Sequence, residues 1–409
     1  MTSRDSDGLP WADRHSVQVF LEGVHARDHV SGLTHAFYRY PARFSPLFVR
    51  GALLAFTRPG DVVLDPFMGG ATTIVEARAL GRLGIGLDIN ALAYFVARAK
   101  TSVLTESDLR DVRRWTKTTV ACLNVRRRAA PDTRWADLGY HRNIDDRQTW
   151  PLRRCLELAL ERLHLLDAPR QRLFVRALLL RTAQWALDCR KELPTAPQFR
   201  AQILVHLEEM VDGARAYRDA ARAADRASDA RGRSRVILLH RSVEGLENSQ
   251  QLRGYGAPRL VLTSPPYPGV HVMYHRWQVR GRKETPAPFW IADSLDGNGL
   301  SYYTLGDRQY PDLKTYFDAV RRAFTSISKL ADSDTLFVQM VAFSEPTWQL
   351  PKYLSALQAA GLTELRGTEV ANTGDGRVWR TVPHRRWYAD QRGPCAASKE
   401  VVLFHRRSS

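Results

Sequence analysis

One segment of the sequence has the composition of a loop that binds the polar end of a ligand. It reads Asp65-Pro66-Phe67-Met68-Gly69-Gly70-Ala71-Thr72-Thr73 and follows a short apolar run. Adjacent glycines let the backbone pass close under a ligand, and the free amides of a following helix favour its polar groups. Asp88 ends the next apolar run, where a carboxylate can accept both hydroxyls of a ribose. No G-x-G-x-x-G or G-x-x-x-x-G-K-S/T occurs, so the segments predict a nucleoside cofactor rather than a dinucleotide or a triphosphate.

A second segment follows another apolar run and reads Thr263-Ser264-Pro265-Pro266-Tyr267-Pro268-Gly269. Two consecutive prolines lack backbone donors and fix φ, so the chain must leave a central strand here. A site that accepts hydrogen bonds from both protons of an exocyclic base amine favours the form with a free lone pair. The Ser264 hydroxyl and the Pro265 carbonyl are candidate acceptors, and Tyr267 can stack on a base rotated out of a duplex. This segment predicts chemistry on a base amine.

Together these segments resemble a known family. DPFMGGATT, GLDIN and TSPPYPG look like motifs I, II and IV of the DNA amino-methyltransferases, in which SPPY is common among N4-cytosine enzymes and DPPY among N6-adenine enzymes. Upstream, residues 35–46 read HAFYRYPARFSP and are similar to motif X of that family, H-x-Y-P-A-K-F-x-P. The resemblance covers residues 34–102 and 235–280, with a weaker match in the C-terminal strands. It implies S-adenosylmethionine as the cofactor.

The resemblance also assigns roles to individual residues. The catalytic residues that it implies are Ser264, Pro265, Pro266 and Tyr267, with methyl transfer as a direct displacement at the sulfonium. The cofactor-binding residues that it implies are His35, Tyr40, Pro41, Ala42, Asp65, Pro66, Phe67, Gly69, Gly70, Thr72, Thr73, Asp88, Ile89 and Asn90. We therefore expect a site-specific DNA methyltransferase that acts on cytosine N4.

Three features depart from the family pattern. Asp88 stands where Glu is common, although its shorter side chain should still reach a ribose. His240-Arg241-Ser242 stands where motif III usually carries an acidic residue, which leaves the adenine contacts open. The region between motifs II and IV is longer than such enzymes need, so it is a candidate for part of target recognition.

Other activities remain open from the sequence. The same acceptor geometry serves adenine N6, and an RNA guanine-N2 methyltransferase is a further alternative, although its loop usually begins with Asp or Asn. A catalytically inactive DNA-binding subunit that keeps the fold is an alternative of another class. A carbon-5 cytosine methyltransferase needs a Pro-Cys thiolate in the motif IV loop, whereas Pro394-Cys395 lies far beyond it.

The elements that position these residues are predicted to form an α/β fold. Apolar runs at 61–64, 83–87, 235–239, 259–263 and 335–343 predict a mostly parallel sheet, and 365–371 with 400–405 a final antiparallel pair. Residues 71–80 have helical spacing, as does most of 104–230. We expect a Rossmann-like class I SAM-dependent methyltransferase fold with about seven strands. It divides into 1–103 (motifs X, I and II), a helical insertion at 104–231, and 232–409 with the SPPY loop and a DNA-contacting segment at 268–310.

Composition bounds the partners and the compartment. The formal charge is +17, from 60 Lys and Arg against 43 Asp and Glu, which favours a polyanionic partner. With the motifs this predicts double-stranded DNA, and a cognate restriction endonuclease is a further partner left open. The four cysteines are scattered with no C-x-x-C pair, so no metal site is expected. No signal peptide and no run of 18 apolar residues occurs, so we expect no membrane segment and a cytoplasmic, nucleoid-associated prokaryotic protein.

Two basic regions are candidates for DNA contacts. Residues 271–310 mix aromatic and basic side chains, which suits groove contacts as well as it suits a packed loop. The candidates are Tyr274, Trp277, Arg280, Arg282 and Lys283, joined later in the chain by Arg385 and Arg386. Arg215, Arg218, Arg222 and Arg226 share one helix face, where a solvated face balanced by aspartates is favoured over a phosphate-binding stripe.

Overall fold

A mostly parallel β-sheet forms the centre of the fold. The computed structural model describes residues 9, 14–26, 30–40, 43–126, 133–227, 235–268, 276–281, 283–297, 305, 312–366, 370–381 and 399–408. Its strands are β1 (Val62–Asp65), β2 (Leu83–Asp88), β3 (Val236–His240), β4 (Leu260–Thr263), β5 (Trp277–Val279), β6 (Lys283–Thr285), β7 (Leu336–Ala342), β8 (Leu362–Leu365), β9 (Val378–Thr381) and β10 (Lys399–Arg407). Within the described ranges, β5 and β6 form a separate hairpin, and the other strands form the main sheet.

The order of the strands creates a binding edge. The sheet runs β3-β2-β1-β4-β7-β10-β8, and β9 also pairs with β10. Strands β1, β2, β3, β4 and β7 are parallel, whereas β10 is antiparallel to its neighbours. Because the chain moves outward in one direction from β1 and in the other from β4, a crevice opens beyond the carboxyl ends of these two strands. The Rossmann-like α/β fold predicted from the sequence is confirmed.

Helices cover both faces of the sheet. They are α1 (Arg14–His25), α2 (Pro46–Phe56), α3 (Thr72–Ala79), α4 (Ala91–Thr101), α5 (Glu106–Cys122), α6 (Thr133–Asp137), α7 (Trp150–Glu161), α8 (Pro169–Leu187), α9 (Ala196–Arg226), α10 (Ala287–Ala292), α11 (Lys314–Ser328) and α12 (Pro346–Ala359). Every residue of β7 is buried, as expected for a strand covered on both faces. Its side chains alternate: Val338 packs in the core beneath α1 and α2, and Phe337 in the core beneath α11 and α12.

The helices between β2 and β3 pack on the parts of the chain that lead into the crevice. Helices α5 and α9 begin with capping boxes at Thr105 and Thr195, which satisfy the first backbone donors of each helix. The buried cluster of these helices also contains Phe37, Tyr38 and Trp277, from the segment before α2 and from β5. The insertion is therefore packed against the edge of the sheet where a ligand would bind.

Most predicted strands agree with the structure to within one or two residues. The predicted strand 365–371 is wrong in position, because the chain pairs with β10 directly after the left-handed turn at Gly361, over Leu362–Leu365; residues 367–369 lie outside the described residues. Strand β9 and the β5–β6 hairpin were not predicted. The division into three segments stays a prediction. In the described part of the chain, no helix is long and apolar enough to cross a membrane.

Candidate functional site

The glycine-bearing loop predicted to bind a cofactor is the turn that joins β1 to α3. Gly69 has φ +42, and Ala71, which precedes the helix, has φ +59. The backbone N–H of Gly69 donates to Asp88 Oδ2 at 3.0 Å, and that of Asn90 donates to Asp88 Oδ1 at 2.8 Å. The Asp88 carboxylate thus ties the turn after β1 to the turn after β2.

Tyr40, from the stretch that resembles motif X, lies against this turn. A Cβ placed on Gly70 would come within 3.0 Å of the Tyr40 Cβ, and one on Gly69 within 3.2 Å of its Cε1. The Asn90 side-chain amide donates to the Tyr40 hydroxyl at 3.2 Å. Both glycines are therefore required for close packing, and the structure brings three predicted motifs together. Pro41 and Ala42 lie outside the described residues.

Two carboxyl groups lie at the ends of β1 and β2: Asp65 is buried and Asp88 is half-buried. Burial raises the pKa of Asp65 to about 6, and burial likewise raises the pKa of Asp88 to about 6. Asp65 Oδ1 accepts a hydrogen bond from the Thr263 hydroxyl at 2.8 Å and one from the Phe67 backbone at 3.2 Å. Asp65 therefore connects the turn after β1 to the loop after β4, whereas Asp88 connects the turns after β1 and β2.

Two basic side chains beside the glycine turn have no role predicted from the sequence. Lys100 is fully buried and donates to the Gly70 carbonyl at 2.8 Å. Arg43 donates to the carbonyls of Tyr38 (3.2 Å) and His35 (3.4 Å). Burial holds the pKa of Lys100 well below its ordinary value and lowers that of Arg43 to about 10. Neither forms an ion pair with a described residue. Arg43 is half-buried and could stabilise an anionic ligand group, whereas Lys100 is enclosed and holds the Gly70 carbonyl.

The SPPY loop begins at the end of β4, beside β1. The Thr263–Asp65 hydrogen bond connects it to the glycine turn. The Ser264 hydroxyl donates to the Tyr267 hydroxyl at 3.1 Å, and the Tyr267 hydroxyl donates to Glu400 Oε1 at 2.8 Å. Burial, followed by the charge of Glu400, raises the pKa of Tyr267 well above its ordinary value. Tyr267 is thus a neutral phenol held in place by hydrogen bonds at its hydroxyl.

Side chains from distant parts of the chain support this loop. The Tyr316 hydroxyl, on α11, donates to the Pro266 carbonyl at 2.9 Å. Arg380 Nε donates to Glu400 Oε2 at 2.7 Å, and its Nη1 donates to the Val24 carbonyl at 3.1 Å. A charged residue within the apolar run of β10 was the only sequence signal for Glu400; nothing marked Arg380 or Tyr316.

Some predicted cofactor residues have structural partners instead. His35 is buried, and its Nε2 lies 2.8 Å from Glu76 Oε1, which pairs through Oε2 with Arg50. Thr73 is fully buried, and the Thr72 hydroxyl donates to the Phe44 carbonyl at 3.5 Å. These residues shape the wall of the site from behind.

The position of the missing acidic residue of motif III is occupied by His240. Its Nε2 lies 3.1 Å from the Ile89 carbonyl, and its ring stacks on Tyr94 with centroids 5.5 Å apart. Phe67 is half-buried against the core under α11 and α12. An aromatic and apolar set, rather than a carboxylate, therefore borders the site beyond Asp88.

The residues predicted to contact DNA are distributed differently. Trp277 is a correction: it is 1% exposed, and its Nε1 donates to the Tyr38 hydroxyl at 3.0 Å, so it belongs to the core. Arg280 pairs with Asp146 of the insertion at 2.8 Å, and Lys283 is exposed. Tyr274, Arg282, Arg385 and Arg386 lie outside the described residues, as does Pro394-Cys395.

The arginine face of α9 is largely used inside the protein. Arg215 and Arg218 both bind Glu106, at 3.0 and 2.7 Å. Near the end of the helix, Arg78 pairs with Asp225, close to the turn at Gly81 that precedes β2. This end lies at the sheet edge opposite the crevice, so the charges do not line a path to the site. Among the described residues, no His, Cys, Asp and Glu cluster could hold a metal ion.

Comparison with known proteins agrees with the site geometry on the cofactor side. Residues 12–97 match the DNA methylase family. The type II methyltransferase M.MjaII of Methanocaldococcus jannaschii is 35% identical over 66 residues, 16% of this chain and 12% of that protein. The DNA adenine methyltransferase YhdJ of Escherichia coli is 39% identical over 59 residues, 14% of this chain and 20% of that protein. The chain therefore matches only 12% and 20% of the length of these curated relatives.

The structural comparison is weaker. The rRNA methyltransferase aviRa of Streptomyces viridochromogenes aligns over 90% of this chain and 89% of its own, with a TM-score of 0.34 and 11% identity. The family match implies S-adenosylmethionine as the methyl donor. The site fits it chemically: Asp88 offers a carboxylate for a ribose, and Arg43, which forms no ion pair with a described residue, offers a cation for a methionine carboxylate.

Proposed function

We propose that this protein transfers a methyl group from S-adenosylmethionine to the exocyclic amine of a base in double-stranded DNA, with cytosine N4 as the acceptor. The single observation that carries the proposal is the 2.8 Å hydrogen bond from Thr263 to Asp65, because it joins the SPPY loop to the glycine turn at one edge of the sheet. A cofactor above the turn and a base amine at the loop would then be neighbours. Adenine N6 is the alternative acceptor, since Ser264 and the Pro265 carbonyl accept from either amine.

The roles of the residues follow from their positions. S-adenosylmethionine supplies an electrophilic methyl group on its sulfonium when it is bound. Asp88 holds the ribose hydroxyls, and Tyr40 closes the methionine side. Ser264 Oγ and the Pro265 carbonyl accept hydrogen bonds from the two amine hydrogens, which directs the nitrogen lone pair toward the methyl carbon. The N–C bond would form as the sulfonium–methyl bond breaks, the thioether product would leave, and the methylated amine would release one proton to solvent. Tyr267 stacks on a flipped base, and the stacking orients the amine for a direct displacement.

The experiment is to incubate the full chain with unmethylated genomic DNA and S-adenosylmethionine, digest the DNA to nucleosides and identify the methylated one by mass spectrometry. We expect N4-methylcytosine. N6-methyladenine alone would make adenine the acceptor instead. Cofactor binding without methylation of any DNA would establish the catalytically inactive alternative.

Two variants test the assigned roles. Replacing Ser264 or Tyr267 by Ala should lower kcat far more than it weakens cofactor binding, because both side chains act on the base. The measurements are methyl incorporation at saturating cofactor and the Kd for S-adenosylmethionine by titration calorimetry. Equal losses in both quantities would contradict the assignment.

A further inference from the structure

Four side chains form a continuous line of hydrogen bonds behind the SPPY loop. Ser264 Oγ lies 3.1 Å from the Tyr267 hydroxyl, which lies 2.8 Å from Glu400 Oε1. Arg380 completes the line with its Nε 2.7 Å and its Nη2 2.6 Å from Glu400 Oε2. Glu400 is buried and the Arg380 side chain is 10% exposed; the two residues are register partners on the neighbouring strands β10 and β9.

Only one donor-to-acceptor direction is possible along this line of hydrogen bonds. A guanidinium can only donate, so Glu400 Oε2 is an acceptor, and the ionised carboxylate has no hydrogen to give at Oε1. The Tyr267 hydroxyl must therefore donate to Glu400. Having one hydrogen, it can only accept from Ser264. The single hydrogen of Ser264 is thus directed away from the loop's open side.

We propose that Glu400, held by Arg380, sets the polarity of the hydroxyl chain, so that Ser264 presents only lone pairs to the incoming base amine. The inference rests on the function proposed above. If the hydrogen bonds ran in the opposite direction, the Ser264 hydrogen would point toward the hydrogens of the amine. Two donors would then face each other and no hydrogen bond could form. Glu400 and Arg380 are positioning residues, since they act through Tyr267.

The decisive variant is Glu400→Gln, which keeps the shape of the side chain. Arg380 still demands an acceptor, so the new amide must turn its oxygen to Arg380 and its NH₂ to Tyr267. The amide then donates to the Tyr267 oxygen, Tyr267 donates to Ser264, and the chain is reversed. We expect kcat at saturating genomic DNA to fall roughly ten- to a hundredfold, the usual effect of mispairing a buried polar group. The Kd for S-adenosylmethionine should not change.

A second substitution distinguishes polarity from simple packing. Tyr267→Phe keeps the aromatic ring but cuts the chain, so that Ser264 is free to rotate. Combining it with Glu400→Gln should give less than about twofold further loss beyond Tyr267→Phe alone, because the amide can no longer act on Ser264. The matched control is Glu364→Gln on β8. Arg377 donates to the two carboxylate oxygens of Glu364 at 2.7 and 3.1 Å, and this pair does not contact the SPPY loop. The kcat of this variant should equal that of the wild type.

Separate results decide the two proposals. A wild type that methylates no DNA overturns the proposed function. A wild type that is active, with Glu400→Gln within about twofold of it or with fully additive losses in the double variant, overturns the polarity proposal alone. A neutron structure of the wild type tests the polarity without turnover: deuterium bonded to Ser264 in the Ser264–Tyr267 hydrogen bond is expected, and deuterium bonded to Tyr267 there would refute it.

Discussion

At the scale of single residues, the carboxyl groups at the ends of β1 and β2 have different roles. The Oδ1 of Asp65 is occupied by Thr263 and the Phe67 amide, so this residue fastens the two loops. Asp88 accepts one backbone hydrogen bond on each oxygen and keeps lone pairs for further donors. The difference makes Asp88 the main residue through which pH should act on cofactor binding.

The first prediction concerns the pH dependence of that binding. Burial raises the pKa of Asp88 to about 6, and in the role proposed for Asp88 only the ionised carboxylate accepts both ribose hydroxyls. Protons compete with the ligand, so the affinity for S-adenosylmethionine should be constant above about pH 7 and fall as the pH drops through 6, by up to about tenfold per unit for one proton. Titration calorimetry between pH 5 and 8 measures it.

The matched variant is Asp88→Asn. It should bind the cofactor roughly tenfold more weakly at pH 8, because the amide offers one acceptor where the carboxylate offers two. Asp65, whose pKa burial also raises to about 6, remains and retains a part of the dependence. A variant whose Kd follows the same pH curve as the wild type would assign the whole dependence to Asp65.

The sequence predicted the residues of local motifs but not their distant partners. Gly69, Gly70, Asp88 and Ser264 lie in short segments whose composition alone indicates a loop that binds a ligand. Glu400 is 133 positions from Tyr267, and their contact arises only when β10 inserts beside β7. A pattern in the sequence cannot show a contact that depends on the order of strands.

At the scale of elements, the helical insertion holds the segment that closes the cofactor side. The Gln184 side chain on α8 donates to the Arg39 carbonyl at 2.9 Å and accepts from the Arg39 N–H at 3.1 Å. At the end of the same helix, the Cys189 N–H donates to the Gln278 carbonyl of β5 at 2.7 Å. One helix thus fixes both the Tyr40 segment and the hairpin that follows the SPPY loop.

The second prediction tests this support with Gln184→Leu. The substitution removes both hydrogen bonds to Arg39 and leaves its backbone groups without their partner, at a cost of about 1–3 kcal/mol. Because the segment carries Tyr40, which covers the glycine turn, the Kd for S-adenosylmethionine should rise roughly tenfold. Calorimetric titration at pH 8 provides the measurement.

Gln171→Leu on the first turn of α8 is the control. Gln171 is also buried, but it bonds to Asp108 and Asp111 within the insertion. Its loss should lower the free energy of unfolding without changing the Kd for the cofactor. If both variants weakened cofactor binding equally, α8 would support the site only through its general stability.

The strands missed from the sequence are short and lack a continuous apolar run. Strands β5, β6 and β9 have three or four residues, too few to show an alternating pattern. The parallel strands were predictable because each is a continuous apolar run next to a turn signal, even β1 and β4, which have only four residues. Trp277 was misassigned because the hairpin was not predicted. An aromatic residue among basic neighbours suggests a DNA contact, whereas strand β5 buries Trp277 beneath Tyr38.

At the scale of the whole molecule, the question is whether the insertion folds independently of the sheet. The buried cluster of the insertion includes Phe37, Tyr38 and Trp277, and Phe37 packs edge-on against Phe174 of α8 with centroids 5.5 Å apart. The same cluster includes Phe95 of α4, which follows β2. Residues from three separate parts of the chain therefore share one core with the insertion.

The last prediction follows from this shared core: the protein should unfold in one cooperative transition. Far-UV circular dichroism follows mainly the long helices of the insertion, and tryptophan fluorescence also follows Trp277, Trp348 and Trp379 outside it. The two signals should change at the same urea concentration. S-adenosylmethionine at a hundred times its Kd should stabilise the fold by about 2.7 kcal/mol and move both midpoints together. Two separate transitions, only one of which responds to the cofactor, would show that the insertion folds as an independent unit. The tenfold rise in Kd expected for Gln184→Leu would then have no physical basis.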